Sequence, residues 1–165
     1  MEQMIIADNV RAVCLPNKQF DSNKFEPHIK PAELQYIKPF LGKTFYDSIR
    51  AEYLADSIGS ANQTIIDNYL KPALCWFTLA KASPFMHINI QNGGFYVNDT
   101  EYSRGATDKQ RSDIETLAFQ NAESFLDEAK EYIELNYSSY PLYYASKNID
   151  NDTQIIGGLI LGGDD

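Results

Sequence analysis

Thr107 to Asn136 reads TDKQRSDIETLAFQNAESFLDEAKEYIELN, and this stretch decides the class of fold. Thr107 and Gln110 stand at the S/T-x-x-E/Q spacing of a capping box, in which each side chain bonds the other residue's backbone N–H. Behind that start, Ile114, Ala118, Ala122, Phe125, Ala129 and Tyr132 recur every three or four positions, and Leu117, Leu126 and Ile133 widen the stripe. The pattern runs for about 29 residues, roughly 43 Å at 1.5 Å per residue. In a chain of 165 residues such a helix is expected to cross the whole domain.

Upstream, Thr64–Ala82 is apolar almost all round from Pro72 onward, the pattern of a central core helix that Pro72 kinks or restarts. Pro27 and Pro31 argue against one continuous helix from Phe25, so a helix is expected from Pro31 to Phe40, with Leu34, Ile37 and Leu41 on one stripe. Pro39 is expected to end or kink it, and Gly42 to supply a left-handed cap. A second helix is expected from about Thr44, with Phe45, Ile49, Tyr53 and Leu54 at helical spacing. From Phe85 to Ile90 the pattern alternates, Gly93-Gly94 follows, and Phe95-Tyr96-Val97 reads as a return strand. Residues 3–14 read as a short extended arm and 15–24 as a loop. After Asn136 the helical period stops around Pro141, so an extended tail is expected. The expected fold is therefore mainly α: a helical bundle with a long C-terminal helix, one small β-hairpin insertion near 85–98, and extended N- and C-terminal arms. Residues 1–24 form the arm and loop, 25–136 the helical domain and 137–165 the tail.

Composition bounds the function. The chain is 44% hydrophobic and 22% charged, the balance of a folded protein. Its net charge of −9 argues against a general nucleic-acid or anionic-membrane binder, since both need a basic surface. No stretch approaches the roughly 18 apolar residues of a membrane span, and no targeting signal is visible. Cys14 and Cys75 lie far apart in sequence, with no CxxC and no Cys/His metal spacing. No cofactor or metal motif is present. His28 and His87 sit 59 positions apart with no nucleophile patterned beside them, so structural roles are expected for both. Glu123, Asp127, Glu128, Glu131 and Glu134 fall mostly away from the apolar stripe, as a solvated helix face does. A hydrolase using carboxylates, with His87 near the hairpin, is the enzymatic rival. The expectation is that the chain is not an enzyme.

The tail has its own chemistry. Tyr137, Tyr140, Tyr143 and Tyr144 cluster around Pro141, and Ile155, Ile156, Leu159, Ile160 and Leu161 follow a polar linker. Extended apolar residues at a chain end are expected either to fold back or to hook onto another protein. Tyrosine suits an interface because it joins a large apolar face to a polar tip. Met4, Ile5, Ile6 and Val10 give the N-terminal arm the same character.

Ile29, Ala32, Glu33, Ile37, Leu41, Gly42 and Tyr46 form an I-x-x-A-E-x-x-x-I-x-x-x-L-G-x-x-x-Y pattern. The kinked apolar helix, Gly93-Gly94, the Asn121-Ala122-Glu123 step and the Tyr/Pro tail come after it. Across residues 5–143 the chain resembles the head–tail connector proteins of tailed bacteriophages. It is most similar to the adaptor-ring type of Bacteroidetes phages, including the crAss-like group. The resemblance implies a virion structural protein without catalysis, made in the bacterial host cytoplasm and placed in the neck. About a dozen copies would form a closed ring below the portal protein. The ring would extend the DNA channel, pass genomic DNA without sequence-specific binding, and dock the next tail or neck protein. The tail and the N-terminal arm match the need for hooks onto such partners. The rival reading is a cytosolic helical protein-interaction module. Deleting residues 149–165 is expected to leave the domain folded and to block assembly. Infectious particles built with the truncated chain would contradict the hook.

Overall fold

Helix α6 (Lys71–Ala82) is the hub of the computed structural model, which describes residues 4–15, 21–86, 88–91, 94–97 and 107–152. Eight of its twelve residues are buried, so it needs neighbours on several sides. It packs against α1 (Ala7–Cys14), α2 (Glu26–Ala32) and, most extensively, α7 (Asp108–Leu135). On α7 the buried positions Ala118 and Ala122 are small, which lets the two helices approach closely. Tyr36 stacks on Phe77 of α6 at 4.2 Å between ring centroids, and Phe119 of α7 meets both rings edge-on. The fold is mainly α. Two short strands, β1 (Ile88–Gln91) and β2 (Gly94–Val97), pair antiparallel with Ile88 opposite Val97. Residues 92–93, with the first glycine of the expected turn, lie outside the described residues.

The long helix is built as its sequence requires. Gln110 N–H donates to Thr107 Oγ1 at 3.2 Å, and Thr107 N–H donates to Gln110 Oε1 at 2.9 Å. The helix then runs for 28 residues.

The prolines act differently from the expectation. The first long helix begins at Glu26 rather than Pro31. Pro27 sits in its first turn, where an N–H has no intrahelical partner, and Pro31 forgoes only the bond to the Pro27 carbonyl. Helix α2 continues through a π-helical turn, Glu33–Ile37, into α3 (Lys38–Leu41). A second π turn, Ile66–Leu70, joins α5 (Ser60–Ile65) to α6. Each π turn ends just before a Lys-Pro pair, in Tyr36-Ile37-Lys38-Pro39-x-Leu41 and again in Tyr69-Leu70-Lys71-Pro72-x-Leu74. A helix-interior proline lacks an N–H, and its ring presses on the carbonyl four residues back. Widening the turn ahead of it gives that carbonyl room, so the chain passes both prolines without stopping.

Both expected arms are helical where they are described. Residues 7–14 form α1, not an extended segment. Asn9 Oδ1 accepts from Ile6 N–H at 2.8 Å, and Asp8 in the first turn pairs with Arg11 at 3.1 Å. Ala7, Val10 and Cys14 then share one face against the core, a 3/4 spacing that the short stretch conceals. The tail likewise turns helical: a 3-10 turn at Tyr137–Ser139 leads into α8 (Pro141–Asp152). Pro141 opens this helix as its first residue, where its missing N–H is no loss. Tyr140 and Tyr143 belong to the same hydrophobic core as α6, so the core does not close at Asn136.

Helix α8 docks on α4 (Lys43–Leu54) at Gly42. Gly42 has φ 75° and ψ 157°, not the left-handed cap expected but a conformation essentially restricted to glycine. A Cβ there would press into the side chain of Ser146. Gly42 also has no side chain with which to cap α4. The Phe45 N–H of the first turn instead donates to Ser146 Oγ at 3.0 Å. Phe45 packs between Tyr140 and Tyr143, with ring centroids 6.0 and 6.2 Å away. Gly42→Ala is expected to destabilise the protein by about 2 kcal/mol or more, since it combines backbone strain with a clash. Ser146→Ala removes only the cap and is expected to cost about 1 kcal/mol. Thermal melts check both, and an unchanged melt for Gly42→Ala would contradict the seating of α8.

Candidate functional site

An apolar groove of about 620 Å³ lies between α3, α7 and α8. Phe40, Leu126, Tyr143 and Tyr144 form its floor, and Glu123, Asp127, Lys130 and Glu134 form its wall. The wall residues fall at i, i+4, i+7 and i+11 on α7, which puts them on one stripe of the helix. Phe40 and Tyr143 lie 6.0 Å apart, and Tyr144 sets its ring edge-on to Tyr143 at 5.5 Å. Lys130 Nζ approaches Glu134 Oε1 at 3.9 Å, a loose pair between exposed side chains. Burial, then the charge of Glu134 and Tyr144 beside it, pushes the Tyr143 phenol above its usual range. The groove therefore joins an aromatic floor to an acidic rim, a surface fit for side-chain recognition.

The residues expected to meet partners divide sharply. Tyr144 and the nearly fully buried Tyr143 line the groove, and Tyr137 stands on the surface at 69% exposure. Tyr140 and Tyr143 are core residues; the Tyr140 hydroxyl donates to the Ala61 carbonyl at 2.8 Å. Burial, then Tyr132, pushes the Tyr140 phenol up to about 12. In the N-terminal segment Met4, Ile5 and Val10 are also core, which leaves Ile6, 62% exposed, as the one open to a partner among these four. Ile155, Ile156, Leu159, Ile160 and Leu161 lie outside the described residues, as does His87. The groove residues Phe40, Leu126, Glu123 and Asp127 were not among the expected partner contacts. The acidic stripe and Leu126 are readable on a helical wheel. Phe40 comes from a distant helix, and nothing local announces it.

A second polar cluster is buried beneath α2 and α4. Glu33 accepts from Lys30 Nζ at 2.6 Å and from the Tyr46 hydroxyl on the same oxygen, Oε1. Lys38 Nζ lies 5.7 Å from the centre of the Tyr46 ring. Burial, then the hydrogen bond to Glu33 and its charge, holds the Tyr46 phenol well above its usual range. Among the described residues, Glu33 Oε2 and Arg50 Nε are buried without a hydrogen-bond partner. Six residues of the motif that carries the connector resemblance, Ile29, Ala32, Glu33, Ile37, Leu41 and Tyr46, are buried here, so in this chain the pattern specifies packing.

His28 stacks on Phe85 at 5.2 Å, and burial followed by the charge of Lys81 holds its imidazole below its usual range. Cys14 and Cys75 are both free. Burial pushes both thiols up, Cys75 to about 12, and the charge of Cys75 adds to the effect on Cys14. Glu123, Asp127, Glu128, Glu131 and Glu134 are all exposed, as a solvated face requires. Among the described residues no group of three or more His, Cys, Asp or Glu is placed to hold a metal ion. No described helix is long and apolar enough to cross a membrane.

The sequence model of a family described as "Family of unknown function (DUF6712)" matches residues 37–153, and the chain belongs to that family. No curated protein and no solved structure matches the chain.

The buried cluster generates a stability prediction. Lys30→Met strands the Glu33 carboxylate and is expected to cost about 3 kcal/mol. Lys30→Met combined with Glu33→Met removes the stranded charge and is expected to recover part of that loss, the remainder reflecting the buried Tyr46 hydroxyl left without either partner. Denaturant midpoints of the two proteins check this; equal losses would contradict it.

Proposed function

We propose that this member of the family is a structural subunit of a tailed-phage neck, an adaptor ring between portal and tail. The observation that carries the reading is the spare apolar surface of α7. Ile114 and Leu117, one turn apart, are 47% and 54% exposed, and Leu135 at the far end is 76% exposed. One side of the helix is already covered by α6, so these residues are available to a neighbour. Apolar side chains exposed in the first half of the helix and at its last residue suit a subunit contacted from two sides, as in a head-to-tail ring. The resemblance over residues 5–143 supports the same reading. An acidic balance favours a channel along which DNA slides without sticking. Partners in this reading are further copies of the chain, the portal protein and the next tail component.

Quantitative peptide mass spectrometry on purified tailed particles tests the proposal. About a dozen copies per particle is the expected result, the stoichiometry of a closed ring. Absence from particles that contain portal protein would discard the neck and favour the cytosolic interaction module. Ile114→Lys with Leu117→Lys is expected to shift stability by no more than about 0.5 kcal/mol, as for exposed positions, while abolishing incorporation into particles.

A further inference from the structure

We infer that the α7/α8 groove is the docking site for a basic amphipathic helix of a different protein. The inference rests on reading the chain as a docking subunit, and it names the chemistry of what docks. The acidic wall from Glu123 to Glu134 spans eleven positions, about 16 Å or three helical turns. That length accepts apolar anchors at i, i+3 or i+4, and i+7 on a partner helix, laid over Phe40, Leu126 and Tyr144. Both long walls are helices, whose main-chain groups are bonded internally, so the groove offers no strand edge for an extended peptide to pair with. Recognition falls to side chains.

Charge selects among the possible occupants. The wall holds three carboxylates and one ammonium, and the whole chain carries −9. An occupant with Lys or Arg flanking its apolar face is favoured there, and an acidic one is repelled. Segment 153–165 of this chain has no Lys or Arg and carries Asp164 and Asp165. A second copy would present Ile114 and Leu117 with Asp108, Asp113 and Glu115 set against Lys109 and Arg111, a mixed flank with no net positive charge. Neither brings a net positive flank to the acidic wall, so the complementary occupant comes from another protein.

The test uses the full chain, labelled for NMR, and two synthetic peptides of about fourteen residues, four helical turns. Both have leucines on one helical face; one carries lysines on the flanks and the other glutamates at the same positions. The lysine peptide is expected to saturate, with shifts confined to residues 123–134, Phe40, Tyr143 and Tyr144. The glutamate peptide is expected to bind at least about tenfold more weakly, and so is the lysine peptide to Glu123→Gln/Asp127→Asn and to Tyr144→Ser. Tyr144→Phe keeps the ring and should keep the affinity. Failure to saturate, shifts scattered over the surface, or unchanged affinity in the groove variants would overturn the proposal, the last two by showing attraction to net charge alone. The titration is blind to particle composition, so its failure leaves the neck reading standing, and absence from particles leaves the groove's binding standing.

Discussion

Helix α4 has no cap of its own. Gly42 precedes it without a side chain, and its first-turn Phe45 amide is bonded by Ser146, 101 residues further along the chain. The same glycine adopts a backbone conformation closed to other residues and leaves the space that Ser146 enters. One small residue thus lets α8 lie against α4. Tyr143 and Tyr144 ride on α8, so the aromatic side of the groove exists only while that seat holds. Local helix chemistry at one end of the chain and the docking surface at the other are a single constraint.

The acidic wall is held by a separate set of forces. Helix α7 starts at its capping box and is pinned to α6 through Ala118, Ala122 and the Phe77–Phe119 contact. Phe40 reaches the groove because the helix from Glu26 to Leu41 does not break at Pro31 or Pro39. The π turn between those prolines also carries Glu33 into the core, where Lys30 and Tyr46 meet it. A break at Pro31 would misplace both the buried carboxylate and Phe40. The groove therefore draws on three independent devices: a helix cap, a proline-relieving wide turn and a glycine seat.

How much of this was readable from the residues follows the range of the interactions. Helix α7 was legible because its cap and its stripe are both local and the stripe is long enough to average out exceptions. The central helix was legible because it is apolar on all sides. Helix α1 is hidden in the sequence because its eight residues hold only two turns, and Ile5-Ile6 mimics a strand. Helix α8 is hidden in the sequence because Pro141 reads as a stop and acts as a start, and because the burial of Tyr140, Tyr143 and Ser146 is decided by α4. The repeated Tyr-Ile/Leu-Lys-Pro-x-Leu segment is a local signal that marks both π turns. Of the candidate site, the carboxylate stripe was visible as a solvated face, whereas the floor is made by residues from three separate helices.

The account turns on α8 being a seated helix, and the backbone amide of Phe45 reports on it directly. As a first-turn amide of α4 it has no partner within its own helix, so only Ser146 protects it. Residue-resolved hydrogen exchange of the full chain is predicted to show Phe45 exchanging far more slowly than Thr44 beside it, and Ser146→Ala removing that protection. Exchange of Phe45 at the rate of a free amide in the wild-type chain would show that α8 does not sit on α4, and the groove with its acidic rim would have to be withdrawn.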